Sequence, residues 1–261
     1  MGKVISVINQ KGGVGKTTTV VDLSALVASM GPRVLVIDMD PQGNASSGLG
    51  MAAGEKSLYE VLLGRADLKD VIEKTDFDQL YVACSDIRLA GAELELVNAE
   101  QREYRLRTAL RTVQNDYDFI FIDCPPSLSL LTINSMAASD RVIIPIQCEY
   151  YALEGVSSLM STIDRMRRTV APRLDIEGVL LTMLDGRTNL GLQVVDEVKK
   201  HFKKKVYATT IPRNVRLGEA PSHGEPIHIY DPRSAGAVAY RALAEEFLAA
   251  NGYKMKAKKK K

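Results

Sequence analysis

The sequence predicts an α/β fold: a single domain with one mostly parallel sheet and helices on both of its faces. Three observations carry this. Short runs of Val, Ile, Leu and Phe are apolar at nearly every position, as strands buried on both faces are. Segments with helical spacing separate these runs. A glycine-rich turn lies between the first run and the first helical segment, at Lys11–Lys16.

The elements follow in order. Val4–Ile8 reads as the first strand, rich in β-branched residues. Lys16 to about Met30 reads as a helix, ended by Gly31 and Pro32. Arg33–Ile37 is a second strand and Leu80–Ala83 a short one. Glu95–Asn115 has helical spacing, with Leu106, Leu110 and Val113 on one stripe. Phe119–Ile122 is a strand, Leu128–Ala138 a helix and Arg141–Ile146 a strand. Leu153–Val170 is a helix that stops before Pro172. Ile176–Met183 is a strand, Leu192–Phe202 a helix and Val206–Thr209 a short strand. Ser234–Ala250, rich in Ala, Leu and Glu, is the final helix. No Pro-, Gly- or Ser-rich linker and no repeat divides the chain. Residues 1–253 are therefore expected to form one domain, followed by a flexible lysine tail over 254–261.

Composition narrows the function classes. The 261 residues include 34 Lys plus Arg against 32 Asp plus Glu, a net charge of +2. The last eight residues hold six lysines; without them, 28 basic residues face 32 acidic ones, a net −4. An acidic body with a basic tail differs from a uniformly basic nucleic-acid binder. No run of apolar residues is long enough to span a membrane. The first residues lack the pattern of a secretory signal. Cys84, Cys124 and Cys148 have no metal-type spacing, and a reducing cytoplasm is the simplest setting.

The segment Asn9-Gln10-Lys11-Gly12-Gly13-Val14-Gly15-Lys16-Thr17-Thr18 sits between a strand and a helix, the context a phosphate loop requires. Its glycines let backbone N–H groups curl around phosphate oxygens, and the helix N-terminus adds partial positive charge. Lys16 can reach the β- and γ-phosphates, and the Thr17 hydroxyl can bind Mg²⁺ directly. The standard spacing would put a glycine at position 10, where Gln10 stands, and a second lysine, Lys11, opens the loop instead. This form resembles the deviant Walker A motif of the ParA/MinD superfamily of P-loop NTPases. The resemblance implies that Lys11 crosses to the nucleotide of a second subunit, so that ATP binds in a sandwich homodimer.

Two carboxylates follow the second strand, Asp38 and Asp40, and a third, Asp123, ends Phe119–Ile122 before Cys124-Pro125-Pro126-Ser127. A carboxylate after an apolar strand commonly holds Mg²⁺ or its waters. By resemblance, Asp40 orients the attacking water, and Asp38 and Asp123 sit around the metal, through water. Asp38–Asn44, Ile122–Ser127, Cys148–Gly155 and Ile211–Leu217 all look like the chromosomal ParA branch, often called Soj. Pro212 and Asn214 are carried over as base contacts from that family alone. The resemblance further implies slow ATP hydrolysis stimulated by a ParB-type partner, in the cytoplasm on the nucleoid. The chain begins at the first strand, so operator-specific repression is not expected.

Between Asp185 and Leu217, eight basic residues face three acids, a local +5. Arg187, Lys199, Lys200, Lys203 and Arg216 are the candidate contacts to double-stranded DNA. Neither aromatic interleaving nor a base-reading motif accompanies them, so sequence-neutral phosphate contact is the expected mode. The alternative is a MinD-like membrane ATPase, which would end in an amphipathic helix. Here Asn251-Gly252 reads as a helix stop, and only Tyr253 and Met255 near it are large and apolar. Stable membrane association is therefore not expected. An iron–sulfur carrier would need paired cysteine ligands, which the three scattered cysteines do not offer.

Overall fold

The computed structural model describes residues 1–149, 152–185 and 189–253, with the backbone alone at 152–157 and 189–190. Its strands are β1 Lys3–Val7, β2 Val34–Asp38, β3 Ile72–Lys74, β4 Leu80–Ala83, β5 Phe119–Asp123, β6 Arg141–Gln147, β7 Asp175–Leu184 and β8 Val206–Pro212. They form one sheet in the order β3-β4-β2-β5-β1-β6-β7-β8. All neighbours run parallel except β3, which pairs antiparallel with β4 at one edge.

The helices are α1 Lys16–Ser29, α2 Asn44–Gly48, α3 Leu58–Leu62, α4 Leu89–Glu95, α5 Arg105–Leu110, α6 Leu130–Ala138, α7 Ala152–Thr169, α8 Asn189–Phe202, α9 Arg216–Glu219, α10 Ile227–Tyr230 and α11 Ala235–Ala250. They cover both faces. Along β2, Leu35 and Ile37 join a core shared with α5, α6, α7 and α8, while Val34 and Val36 join the core under α1 and α11. Ile120 and Ile122 of β5 split from Phe119 and Phe121 in the same way. Alternation in contacts, with every position buried, explains why these strands read as unbroken apolar runs.

One expectation needed correction. Glu95–Asn115 is not one helix: α4 ends at Glu95, and a break with left-handed Gln101 (φ 51°) precedes α5. The predicted stripe still packs, with Leu106, Leu110 and Val113 all buried. Strand β3 and the short helices α2, α3, α9 and α10 carry too few residues for a periodic pattern. The lysine tail, 254–261, lies outside the described residues, as does Arg187.

Candidate active site

The loop 9–15 leaves the carboxyl end of β1, which lies between β5 and β6 near the centre of the sheet. Ligands of open α/β sheets bind at this edge, where the strand order changes direction. The loop is braced from below. Asn9 Nδ2 donates to the Pro145 carbonyl at 2.7 Å, and Asn9 Oδ1 accepts from the Lys11 N–H at 3.0 Å. Thr182 Oγ1 donates to the Val14 carbonyl at 2.9 Å, and Thr19 Oγ1 to the Gly15 carbonyl at 2.7 Å. Gly13 and Gly15 are left-handed, at φ +72° and +89°, which accounts for glycine there. Gly12 has no such φ, and a Cβ on it would meet nothing within 4 Å. Its open flank faces a cleft of about 600 Å³ lined by Gly13, Lys16, Thr17, Asp40 and Pro126.

The two lysines of the loop are held differently. Lys16 is 6% exposed and donates from Nζ to the Lys11 carbonyl at 3.0 Å. Burial pulls its pKa down, and the charge of Asp123 pulls it partly back. Lys11 is more exposed, and its ammonium is ion-paired with Glu149, just past β6 of the same chain.

Parallel pairing sets the carboxylates side by side. Asp38 and Asp123 occupy matching register positions at the ends of neighbouring strands β2 and β5. Asp38 is largely saturated: Oδ2 accepts from the Ser46 N–H at 2.8 Å and hydroxyl at 2.7 Å, and Oδ1 from the Asp40 N–H at 3.2 Å. Burial raises its pKa to about 6 against those bonds. Asp123 Oδ2 accepts from the Thr17 hydroxyl at 2.7 Å, but its buried Oδ1 has no hydrogen-bond partner. Burial, then the charge of Asp38, raises the Asp123 pKa well above the usual carboxylate range. An orphaned carboxylate oxygen beside a threonine hydroxyl, with two crowded acids, fits a divalent cation with oxygen ligands. Asp40 is 8% exposed, accepts from the Gln42 N–H at 3.0 Å through Oδ1, and lines the cleft.

A second lobe of about 340 Å³ adjoins the first, since Gly15, Thr18 and Met183 line both. Pro212 and Asn214 line this lobe. Tyr240, Thr182 and Met183 line it too and were missed. Tyr240 is a fully buried tyrosine of α11 whose hydroxyl lies 3.1 Å from that of Thr19. Nothing in the period of α11 marks it. Ser46 and Glu149 were also missed, although Glu149 offered the same signal as Asp123: an acid just beyond an apolar strand.

The basic candidates among the described residues do not form one patch. Lys203 precedes β8 and Arg216 follows it, so a seven-residue strand, about 20 Å long, lies between them. Arg216 pairs with Glu219 at 2.7 Å and with Asp231 at 3.4 Å. Lys200 pairs with Glu197 at 2.6 Å, whereas Lys199 and Lys203 make no ion pair among the described residues. No helix of the described residues is long and apolar enough to cross a membrane.

A glycine-rich loop, a buried lysine and converging carboxylates at the carboxyl edge of a parallel sheet define a P-loop ATPase. The chain belongs to the AAA domain family, whose model matches residues 2–176, and within the ParA/MinD superfamily to the Soj/ParA branch. It is 59% identical to the sporulation initiation inhibitor protein Soj of Bacillus subtilis over 97% of this chain and all of that one. It is 51% identical to the chromosome partitioning protein ParA of Myxococcus xanthus, over 95% and 88% of the two chains. Among solved structures it resembles cobyrinic acid a,c-diamide synthase of Mycobacterium smegmatis with a bound ATP analogue and magnesium. That match has 37% identity, a TM-score of 0.83 and 98% coverage of both chains. It also resembles the septum site-determining protein MinD of Pyrococcus horikoshii complexed with Mg-ADP, at 29% identity, a TM-score of 0.79 and 94% and 96% coverage. Identity twice as high to Soj as to this MinD favours the partition branch over the MinD-like alternative.

Proposed function

We propose that the chain is a chromosome partition ATPase that uses ATP and Mg²⁺ to switch between a monomer and a DNA-holding homodimer. One observation carries the reading: two lysines from one loop have separate settings. Lys16 is buried where phosphates would lie, and Lys11 stands at the rim in an ion pair with Glu149. A lysine meant for its own loop has no need of the rim. A lysine meant for a partner's nucleotide does.

The chain's residues then divide the work. The N–H groups of Gly12, Gly13, Val14 and Gly15, with Lys16 and Thr18, bind phosphate oxygens. Thr17 holds Mg²⁺ directly, and Asp123 and Asp38 hold its waters. The metal neutralises charge on the phosphates when bound. Asp40 orients the water that attacks. Lys11, released from Glu149, reaches across the dimer and offsets charge developing on the γ-phosphate, as an arginine finger does. Pro212 and Asn214 hold the base.

In this reading the dimer binds duplex DNA without sequence preference, in the cytoplasm on the nucleoid, through Arg187, Lys199, Lys200, Lys203 and Arg216. Two subunits double the contacts, which is why nucleotide can gate them. Turnover is slow until a ParB-type protein speeds it. The test is binding to duplex DNA and to anionic liposomes, each with no nucleotide, ADP and ATP. ATP-dependent DNA binding is expected. ATP-dependent liposome binding without DNA binding would replace this reading with the MinD-like one.

A further inference from the structure

At the end of the sheet opposite the nucleotide cleft, a second cleft of about 460 Å³ opens beside the amino ends of β6 and β7. Arg107, Leu110 and Arg111 line it from α5 and the residue that follows, at the i, i+3 and i+4 positions of one helix face. Pro172 and Arg173 line it from the turn between α7 and β7. Asp140, just before β6, is the one acid lining it among the described residues. None of these residues belongs to the nucleotide site or to the DNA candidates.

All three arginines are exposed, and none makes an ion pair among the described residues. Acids are not scarce in this chain, since residues 1–253 hold 32 against 28 basic residues. Other arginines find them. Arg88 meets Glu60 at 2.8 Å and Asp86 at 2.7 Å, and Arg167 meets Asp175 at 3.2 Å. Arg107 Cζ lies 5.9 Å from the Tyr104 ring centroid, a contact that uses none of its N–H donors. Asp140 Oδ2 accepts from the Val4 N–H at 2.8 Å, and its Oδ1 accepts nothing among the described residues. The cleft thus offers three guanidinium groups and one carboxylate oxygen to a ligand.

We propose that this cleft docks an acidic segment of a partner protein. Guanidinium groups match carboxylates in bidentate geometry. Arg107 and Arg111 project from Cβ atoms about 5–6 Å apart. Carboxylates two residues apart on an extended strand, or four apart on a helix, repeat at about that spacing. Arg173 takes a third carboxylate from the other element. Asp140 decides between a peptide and a nucleic acid. A peptide brings backbone N–H groups, which the free Asp140 oxygen accepts. The phosphodiester backbone of duplex DNA brings acceptors alone, which the same oxygen repels. The cleft lies a strand length, roughly 20 Å, from the phosphate loop, so nucleotide binding and dimer closure leave it open. The proposal does not rest on the partition reading.

The test is fluorescence anisotropy of the full chain with a labelled octaglutamate peptide at low salt, without nucleotide, with ADP and with ATP. Saturable binding of similar affinity is expected in all three, and a labelled octaglutamine peptide should not bind. Arg107→Gln/Arg111→Gln/Arg173→Gln should weaken octaglutamate binding at least about fivefold, for three exposed charge pairs. Lys56→Gln/Lys69→Gln/Lys74→Gln removes the same charge from exposed lysines elsewhere and should change it less than about twofold. Arg107→Gln and Arg173→Gln alone, on separate elements, should each weaken binding, which keeps the test open should the triple variant melt early. Absence of saturable octaglutamate binding would overturn the proposal, as would equal binding of octaglutamine. An equal loss in the lysine variant would reduce the effect to net charge and overturn it too. So would a triple arginine variant that keeps octaglutamate but loses a labelled 30-base-pair duplex, which would give the surface to nucleic acid. Octaglutamate binding abolished by ATP would contradict a cleft left open by dimer closure.

Discussion

Asp22 gives a direct test of the packing between α1 and the segment that caps it. Its carboxyl is 3% exposed, and its Oδ1 accepts from the Ile227 N–H at 2.7 Å. Burial raises its pKa from 3.8 to about 7, against that hydrogen bond. Because the folded pKa lies above the unfolded one, the protonated form favours folding. That contribution is whole below pH 3.8 and is lost as pH rises through 7. At roughly 1.4 kcal/mol per unit, the ionised carboxyl in the unfolded chain costs the fold about 2 kcal/mol at pH 5 and about 4 kcal/mol at pH 8. Asp22→Asn keeps an oxygen to accept from Ile227 and removes the titration. Urea unfolding of the nucleotide-free chain should therefore show the variant more stable than the parent, by a margin that grows between about 2 and 3 kcal/mol from pH 5 to pH 8. A margin independent of pH would refute the argument, and a variant less stable at pH 8 would reverse it.

The other predictions concern the site and one strand contact. Lys16→Ala should abolish ATP binding, and near-normal affinity by calorimetry would remove Lys16 from the phosphates. Asp40→Ala should trap an ATP-bound dimer; a monomer on a sizing column with ATP would count against its water-orienting role. Glu149→Gln frees Lys11 and should lower the protein concentration for ATP-dependent dimerisation about two- to tenfold, read by light scattering, with no change expected in ADP. Gly178→Ala would bring a Cβ to 2.2 Å from the Tyr207 ring, where β7 meets β8, and should cost about 1–3 kcal/mol in urea unfolding. Tyr207→Leu in the same chain should recover part of it.

The parts legible in the sequence were those where one physical cause acts on consecutive residues. A strand buried on both faces is apolar at each step, so seven of the eight strands among the described residues were read at nearly their true places. The phosphate loop was legible because Gly13 and Gly15 need left-handed backbone and Lys16 needs a fixed offset from them. The long helix over 95–115 failed for the opposite reason. Leu106, Leu110 and Val113 share a face, but spacing says nothing about the left-handed turn at Gln101 that divides the chain before them. Tyr240 and Ser46 were invisible because their partners, Thr19 and Asp38, are brought to them by packing between distant segments. The DNA candidates were read as one basic segment, and only the length of β8 separates them into two ends.

The place of β1 in the sheet has a consequence for how the chain is made. Lys3 pairs with Phe119 and Ile5 with Arg141, so β1, once synthesised, waits for β5 and β6 before either of its edges is filled. Until then an apolar segment with two open edges travels with the nascent chain, a template for wrong pairing. The phosphate loop that follows β1 cannot be braced by Pro145 or Thr182 before those residues emerge. Synthesis must therefore pass beyond β7 before nucleotide can find its site, and slow elongation between residues 8 and 119 would expose this chain to aggregation more than slow elongation after residue 184.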